Sequence, residues 1–483
     1  MAHLNSHKEI CNLFKRIENK FPVDQWKVNN LHVWPYIRIK LYYYLLNIEN
    51  TQIEEKSAIS QNRKKKSIKA TTKEVVKSFF DTRQFYKSLK SKEVIFVGAH
   101  FHRVLQNGVY FNRFFDPLIE KYNLKERAYT FEFQKYYPNS FNKNSVFHLA
   151  NAIRNYKSFK RIEEKLITKP CTANLINYDD FQEFLNNELG EGAIFKITEN
   201  DLKKWSKKII NLTPFFEKII KKVKPNKIVF LSYYGFDDNY AFIYTARKMQ
   251  IKVVDFQHGP QSNIHMAYSE WNKVPQDGFN IMPIEYWNWD DNSKKNIEAW
   301  ANKTEVKAKV VGHPYIEYCL KHEKVENTKK QILFSLQTSP LELLTKEVTS
   351  LIYNSKYHWV LRLHPRNETP LIDIKNFLIQ NRIDHNTELQ TAEDIPLPYV
   401  LTKSILHITN YSGCVIEALT LNTVTVIIHN VGFEMFRNYI DDKKVFYVNR
   451  TSKDFESRVL EILSLQTEKS GSLDIFYDFN PID

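Results

Sequence analysis

Three short polar stretches in this 483-residue chain each follow an apolar run, and each carries side chains able to handle a proton or a phosphate. The first is Gln257-His258-Gly259-Pro260-Gln261, after Lys252–Phe256. An imidazole aimed from such a loop can take a proton from a hydroxyl, and Asp238, within Asp237-Asp238-Asn239, is the alternative base. The second is His364-Pro365-Arg366, after Trp359–Leu363. Proline sets the backbone beside the imidazole, and Arg362 and Arg366 offer paired, charge-assisted bonds to phosphate oxygens. The third is Asn410-Tyr411-Ser412-Gly413, ahead of Cys414–Leu419. Ser412 reads there as a helix N-cap, Gly413 leaves backbone NH groups approachable to an anion, and Glu417, one turn further in, can accept bonds from ribose hydroxyls. Taken singly, each stretch also suits an ordinary turn or a solvated face.

Other phosphate chemistries lack their signatures. Gly190 and Gly192 are followed by Phe195 where a dinucleotide loop needs its third glycine, and no Walker A loop occurs. No Asp-X-Asp triplet is present, and the Asp-Asp pairs starting at 179, 237, 290 and 441 read as loop charges. We therefore expect metal-independent chemistry and no cofactor.

The elements that must position these loops are short, nearly continuous apolar runs. Glu93–Gly98, Ala128–Phe131, Lys227–Leu231 and Lys252–Phe256 form one series, with a helix over Tyr240–Met249 and mostly helical sequence from 150 to 222. A second series comprises Lys309–Val311, Ile332–Ser335, Trp359–Leu363, Leu406–Thr409 and Val424–Ile428. Such runs are the pattern of parallel strands covered by helices on both faces. The expectation is an α/β protein with two Rossmann-like domains, 91–285 and 286–483, behind a basic helical extension over 1–90. Ligands of such sheets bind beyond the carboxyl ends of the strands, where all three polar stretches fall.

Composition narrows the class. With 69 Lys and Arg against 55 Asp and Glu, the chain carries a formal charge of +14. It has neither zinc-finger spacing nor an RNP-like aromatic motif, so nucleic acid is not the expected partner. Arg63-Lys64-Lys65-Lys66 suits an anionic membrane surface or a plain solvated one, and the aromatic stretch Trp34 to Tyr44 suits lipid headgroups or packing onto the first Rossmann-like domain equally well. Four cysteines without CxxC spacing, and no apolar leader or span, suggest a cytoplasmic protein at most peripheral to the inner membrane face.

Over roughly residues 90 to 450 the order of these blocks resembles bacterial GT-B transferases of capsule and surface-carbohydrate biosynthesis. The likeness runs through His102, Gly108 to Arg113, Asp116-Pro117-Leu118, Tyr233-Tyr234, Gln257-His258-Gly259, Val311-Gly312-His313-Pro314, Leu363-His364-Pro365 and Ser412 to Leu419. The last two blocks are similar to the His-Pro and Ser motifs of transferases using CMP-linked acidic sugars, such as polysialyl- and Kdo-transferases, and of CDP-glycerol polymerases. That resemblance implies a two-domain GT-B fold with a nucleotide donor at His364 and Ser412, His313 in the same region, and a glycan or lipid-linked glycan as acceptor. The acid-acid-glycine base motif of some bacterial sialyltransferases has only Gln276-Asp277-Gly278 as its counterpart, at a different relative position. Glycerophosphotransfer, epimerisation of a nucleotide sugar and a non-catalytic role in polysaccharide assembly stand as the alternatives.

Overall fold

The computed structural model describes residues 6–54, 72–106, 108–133, 137–166, 170–190, 193–322, 331–365, 367–391, 394–464, 479 and 481–482. The basic block at 63–66 and Arg366 lie outside the described residues.

Two parallel sheets organise the chain. The first runs, from edge to edge, Lys307–Val310, Glu285–Asn288, Lys252–Phe256, Lys227–Leu231, Val94–Ala99, Ala128–Phe133 and Val146–His148. The second runs Thr387–Gln390, His358–Arg362, Gln331–Ser335, Ser404–Thr409, Thr425–Ile427 and Phe446–Tyr447. Every residue of Val94–Ala99 and Ala128–Phe133 is buried, as helix-covered strands require. In each sheet the first strand lies inside, the next two step outward on one side, and the fourth returns to its other flank. That reversal opens a crevice at the carboxyl ends, between Val94–Ala99 and Lys227–Leu231 and between Gln331–Ser335 and Ser404–Thr409. Two α/β domains of this topology facing one another constitute the GT-B arrangement.

Two expectations change. The strand Lys307–Val310 belongs to the first sheet, pairing with Glu285–Asn288, so that sheet continues past residue 286. The helix Asp291–Ala301 makes the crossover between these two strands, and a parallel neighbour is reached most directly that way. The aromatic stretch from Trp34 is mostly core, with Tyr43 its one exposed ring at 42%. Trp34 is fully buried against Trp26, Phe14 and Phe181, and Tyr42 is buried too. Its helix enters the first domain's core around a buried ion pair, Arg38 to Glu18 at 3.0 Å, and Glu18 also accepts from Trp34 Nε1 at 2.9 Å. A charge pair out of water is tolerated only with added bonds, and here they reach the first domain. Glu18 accepts from Asn272 N at 2.5 Å, and Arg38 donates to the Glu270 carbonyl at 2.7 Å. The first turns of the chain are thus part of that domain's core and not an extension.

The domains are joined by shared core. Val415, Ile416, Ile427 and Phe436 of the second domain pack in one cluster with Phe256 and Trp287 of the first. Tyr439 donates to Asp290 at 2.5 Å. Near the chain's end, the Phe479 ring lies 4.7 Å from that of Trp287. Among the described residues no helix is long and apolar enough to cross a membrane.

Candidate functional site

Strand register brings the site loops to a common level. Ser335 pairs with both Arg362 and Thr409, so the segments after these three strands leave the second sheet along one edge. On the facing sheet Phe256 is in register with Leu231 and Trp287. Between the two edges lies a cleft of about 350 Å³, lined from the first domain by Val104, Arg113, Phe114, His258, Gly259, Pro260 and Trp289. The second sheet and its approach supply His313, Tyr315, Ser335, Arg362, His364, Ser412, Gly413, Cys414 and Glu417.

Two glutamines hold the His258 loop at its ends. Gln257 Nε2 donates to the Gly259 carbonyl and to Ser293 Oγ, both at 3.1 Å, while its Oε1 accepts from Trp289 N at 2.7 Å. Gln261 Nε2 donates to Asp255 Oδ2 at 3.2 Å, and its Oε1 accepts from Asn288 Nδ2 at 2.6 Å. With both flanks pinned in the core, the imidazole of His258 is presented at the cleft, 5.9 Å between ring centres from His102. The loop also touches the opposite domain. A Cβ on Gly413 would come 3.0 Å from Pro260 Cδ, so a glycine is what lets the two domains approach here.

On the second sheet, Leu363 N donates to the Gln390 carbonyl at 2.8 Å, and Asn367 N to the His364 carbonyl at 2.9 Å. The imidazole is thus carried on a backbone tied on both sides. Arg362 is mostly buried, and burial lowers its pKa from the ordinary arginine value. The helix after the third stretch spans Cys414–Thr420 with Gly413, not Ser412, as its N-cap residue. Ser412 sits one place earlier, where its Oγ accepts from Cys414 N at 3.3 Å and its own N donates to Thr409 Oγ1 at 3.3 Å. Burial pushes the Cys414 thiol up to about 11, so it stands in the cleft wall as a neutral thiol.

Arg113 was quoted in the sequence only as part of a longer block, and it is the residue that sequence reasoning missed. It follows a small hairpin, Arg103–Gln106 and Val109–Asn112, set by a buried charge network. Arg103 binds Glu132 at 2.7 Å and Asp116 at 3.2 Å, and Asp116 also accepts from Asn112 N at 2.6 Å. Burial pushes Asp116 up to about 7 against the pull of Arg103. The network anchors the hairpin's base, and Arg113 projects from it into the cleft opposite Arg362.

His313 and Glu417 meet within the same wall, Nε2 to Oε1 at 3.5 Å. Burial, helped by Arg113, holds His313 down at about 3, so its ring is neutral near neutral pH. Burial raises Glu417, and Arg113 and Arg362 pull it back toward the charged form. Among the described residues the arrangement sets two guanidiniums from opposing domains against one carboxyl group, with three imidazoles around them.

Of the residues expected from sequence, His258, His313, Arg362, His364, Ser412, Gly413 and Glu417 line this cleft. Asp238 does not. It lies in the first turn of the helix Asp237–Lys248 and pairs with Lys157 at 3.3 Å. Tyr411 also lies off the lining, its ring 5.5 Å from that of His429. Arg366 is outside the described residues. Among the described residues no three His, Cys, Asp or Glu side chains gather as a metal-ligand set. Three of the Asp-Asp pairs have protein partners: Asp290 caps its helix by accepting from Ser293 N at 2.8 Å, Asp237 accepts from Trp205 Nε1 at 3.0 Å, and Asp441 pairs with Arg437 at 2.9 Å.

No protein-family model and no curated protein matches the chain. Among solved structures, UDP-GlcNAc 2-epimerase from Neisseria meningitidis bound to UDP-GlcNAc is similar over 77% of this chain and 91% of its own, at 12% identity and a TM-score of 0.46. MurG of Acinetobacter baumannii is similar over 77% of this chain and 91% of its own, at 11% identity and a TM-score of 0.40. The lipopolysaccharide outer core galactosyltransferase WaaB is similar over 80% and 96% respectively, at 10% identity and a TM-score of 0.43.

Proposed function

We propose that the protein is a glycosyltransferase that moves a sugar from a nucleotide donor to a glycan or lipid-linked glycan acceptor. One observation carries this reading: Arg113 and Arg362 enter a single cleft from opposite domains, beside His364 and the Ser412 loop at the switch point of the second sheet. An anionic leaving group is what such a cleft is built to receive. The acceptor hydroxyl attacks the anomeric carbon, the bond from that carbon to the phosphate oxygen breaks, and His258 takes the hydroxyl proton. Arg362 and His364 offset the charge that grows on the departing phosphate, the task a metal performs elsewhere. Transfer is therefore expected to persist in excess EDTA. The resemblance of His364-Pro365 and of the Ser412 block favours a CMP-linked acidic sugar as donor, with the second arginine available to a carboxylate.

Incubation with a panel of CMP-, CDP-, UDP- and GDP-linked donors and a lipid-linked glycan tests the proposal. Nucleotide release that depends on acceptor supports it. Release from no donor would refute it. The neighbouring His313 and Glu417 favour a second reading, epimerisation, because they place a proton acceptor beside the donor without need of an acceptor. Solvent deuterium appearing in the recovered nucleotide sugar would select that reading.

A further inference from the structure

We propose that the exposed face of the helix Thr72–Ser88 docks the protein on an anionic lipid bilayer. The helix packs on the helices Leu149–Leu166 and Glu199–Val223, with Ser78, Thr82 and Tyr86 turned inward and Phe85 stacked at 5.8 Å on Phe215. Its outer face is unusual for a surface helix. Val76, Phe79 and Phe80 are 49%, 47% and 59% exposed. Counting from Val76, the positions i+3, i+4, i+7 and i+11 are Phe79, Phe80, Arg83 and Lys87, so apolar and cationic side chains share one stripe. Lys73 and Lys77 are exposed at the preceding turn. The neighbouring helix adds Lys218, whose ammonium lies 4.4 Å from the Tyr86 ring centre. Of the two acids on this helix, Glu74 is exposed in the first turn, while Asp81 is half-buried and accepts from Asn155 Nδ2 at 3.4 Å.

Charge complementarity selects the occupant. Protein interfaces are depleted in lysine and favour aromatic side chains with a polar handle. Here two phenylalanines and a valine are flanked by Arg83 and by Lys73, Lys77 and Lys87, and it is the lysines that protein interfaces disfavour. Long basic side chains can lie along the apolar boundary with their heads among lipid phosphates while the phenyl rings enter the acyl margin. Each cation near an anionic surface adds an attraction that salt screens.

The full-length protein is mixed with vesicles of phosphatidylglycerol in phosphatidylcholine, and with vesicles of phosphatidylcholine alone, and bound fractions are measured by cosedimentation. The wild type is expected to bind the anionic vesicles, and less so as salt rises. A Val76→Ser, Phe79→Ser, Phe80→Ser variant is expected to lose about tenfold or more in partition coefficient, because the apolar anchor is removed. Its unfolding midpoint should hold, since these side chains face outward. A second variant, with Lys73, Lys77, Arg83 and Lys87 each changed to Gln, is expected to lose both affinity and salt sensitivity. Wild-type protein that ignores anionic vesicles, or variants that bind them as well as it does, would overturn the proposal.

Discussion

His313 and Glu417 stand 3.5 Å apart across the wall of the cleft, and both are displaced from their ordinary titration by burial. The histidine comes from the loop ahead of Pro314–His322, and the glutamate from the helix Cys414–Thr420. Among the described residues Glu417 is the one carboxyl side chain that lines the cleft, placed to accept from a donor's hydroxyls.

Glu417→Ala should therefore weaken nucleotide binding by about 1.5 to 3 kcal/mol, the range for a hydrogen bond to a charged group. The loss should be smaller for the matching 2′-deoxynucleotide, which lacks one of the groups proposed to donate to it. Titration calorimetry on both ligands and both proteins gives the coupling. Equal losses would remove Glu417 from ribose recognition.

Gly413 sits where the domains touch, and a Cβ there meets Pro260 Cδ at 3.0 Å. Gly413→Val should push the His258 loop away from the donor side while leaving Arg362 and His364 in place. We expect transfer to fall by about tenfold to a hundredfold, the scale for an ångström of misplacement. Gly432→Ala is a harsher case, because a Cβ there would overlap the Asn410 carbonyl and come within 2.6 Å of Ile427 Cγ2. That variant should disturb the Ser412 loop itself and lower the unfolding midpoint. Transfer at the wild-type rate in Gly413→Val would show that this contact does not hold the His258 loop in place.

Asp255 gives a pH dependence. Fully buried, it accepts from Tyr233 N at 2.9 Å and from Gln261 Nε2, and burial pushes it up to about 8. The folded chain thus keeps a proton that the unfolded chain releases near pH 4. The stabilisation is complete below about pH 4 and is lost as pH rises through about 8. Denaturant unfolding of wild type and Asp255→Asn should show the wild type's relative stability declining over that window. A difference that stays flat with pH would mean Asp255 does not titrate as burial dictates.

Much of the fold was legible because helix-covered parallel strands must be apolar throughout, and runs such as Trp359–Leu363 and Lys227–Leu231 announce themselves. The loops after them then drew attention to His258, His364 and Ser412 without any knowledge of packing. Glu285–Asn288 escaped notice because it is four residues long and opens on a glutamate, whose partners Lys252 and Lys309 lie on the neighbouring strands. Arg113 escaped because its placement depends on Arg103, Asp116 and Glu132 meeting in the core, and no local spacing encodes that meeting. Asp238 was an attractive base by neighbourhood in sequence, yet its place in the first turn of a helix directs it toward Lys157. Trp34 looked like an interfacial aromatic for the same reason it is a good core residue, its large apolar surface.

The most direct test of the account is nucleotide binding itself. Thermal unfolding is followed with CMP, CDP, UDP and GDP, each in wild type, Arg113→Ala and His364→Ala. One nucleotide family should stabilise the wild type by about 2.7 kcal/mol at a hundred times its dissociation constant, and should stabilise both variants markedly less at the same concentration. No shift with any of the four, or equal shifts in all three proteins, would contradict a nucleotide site between Arg113 and His364.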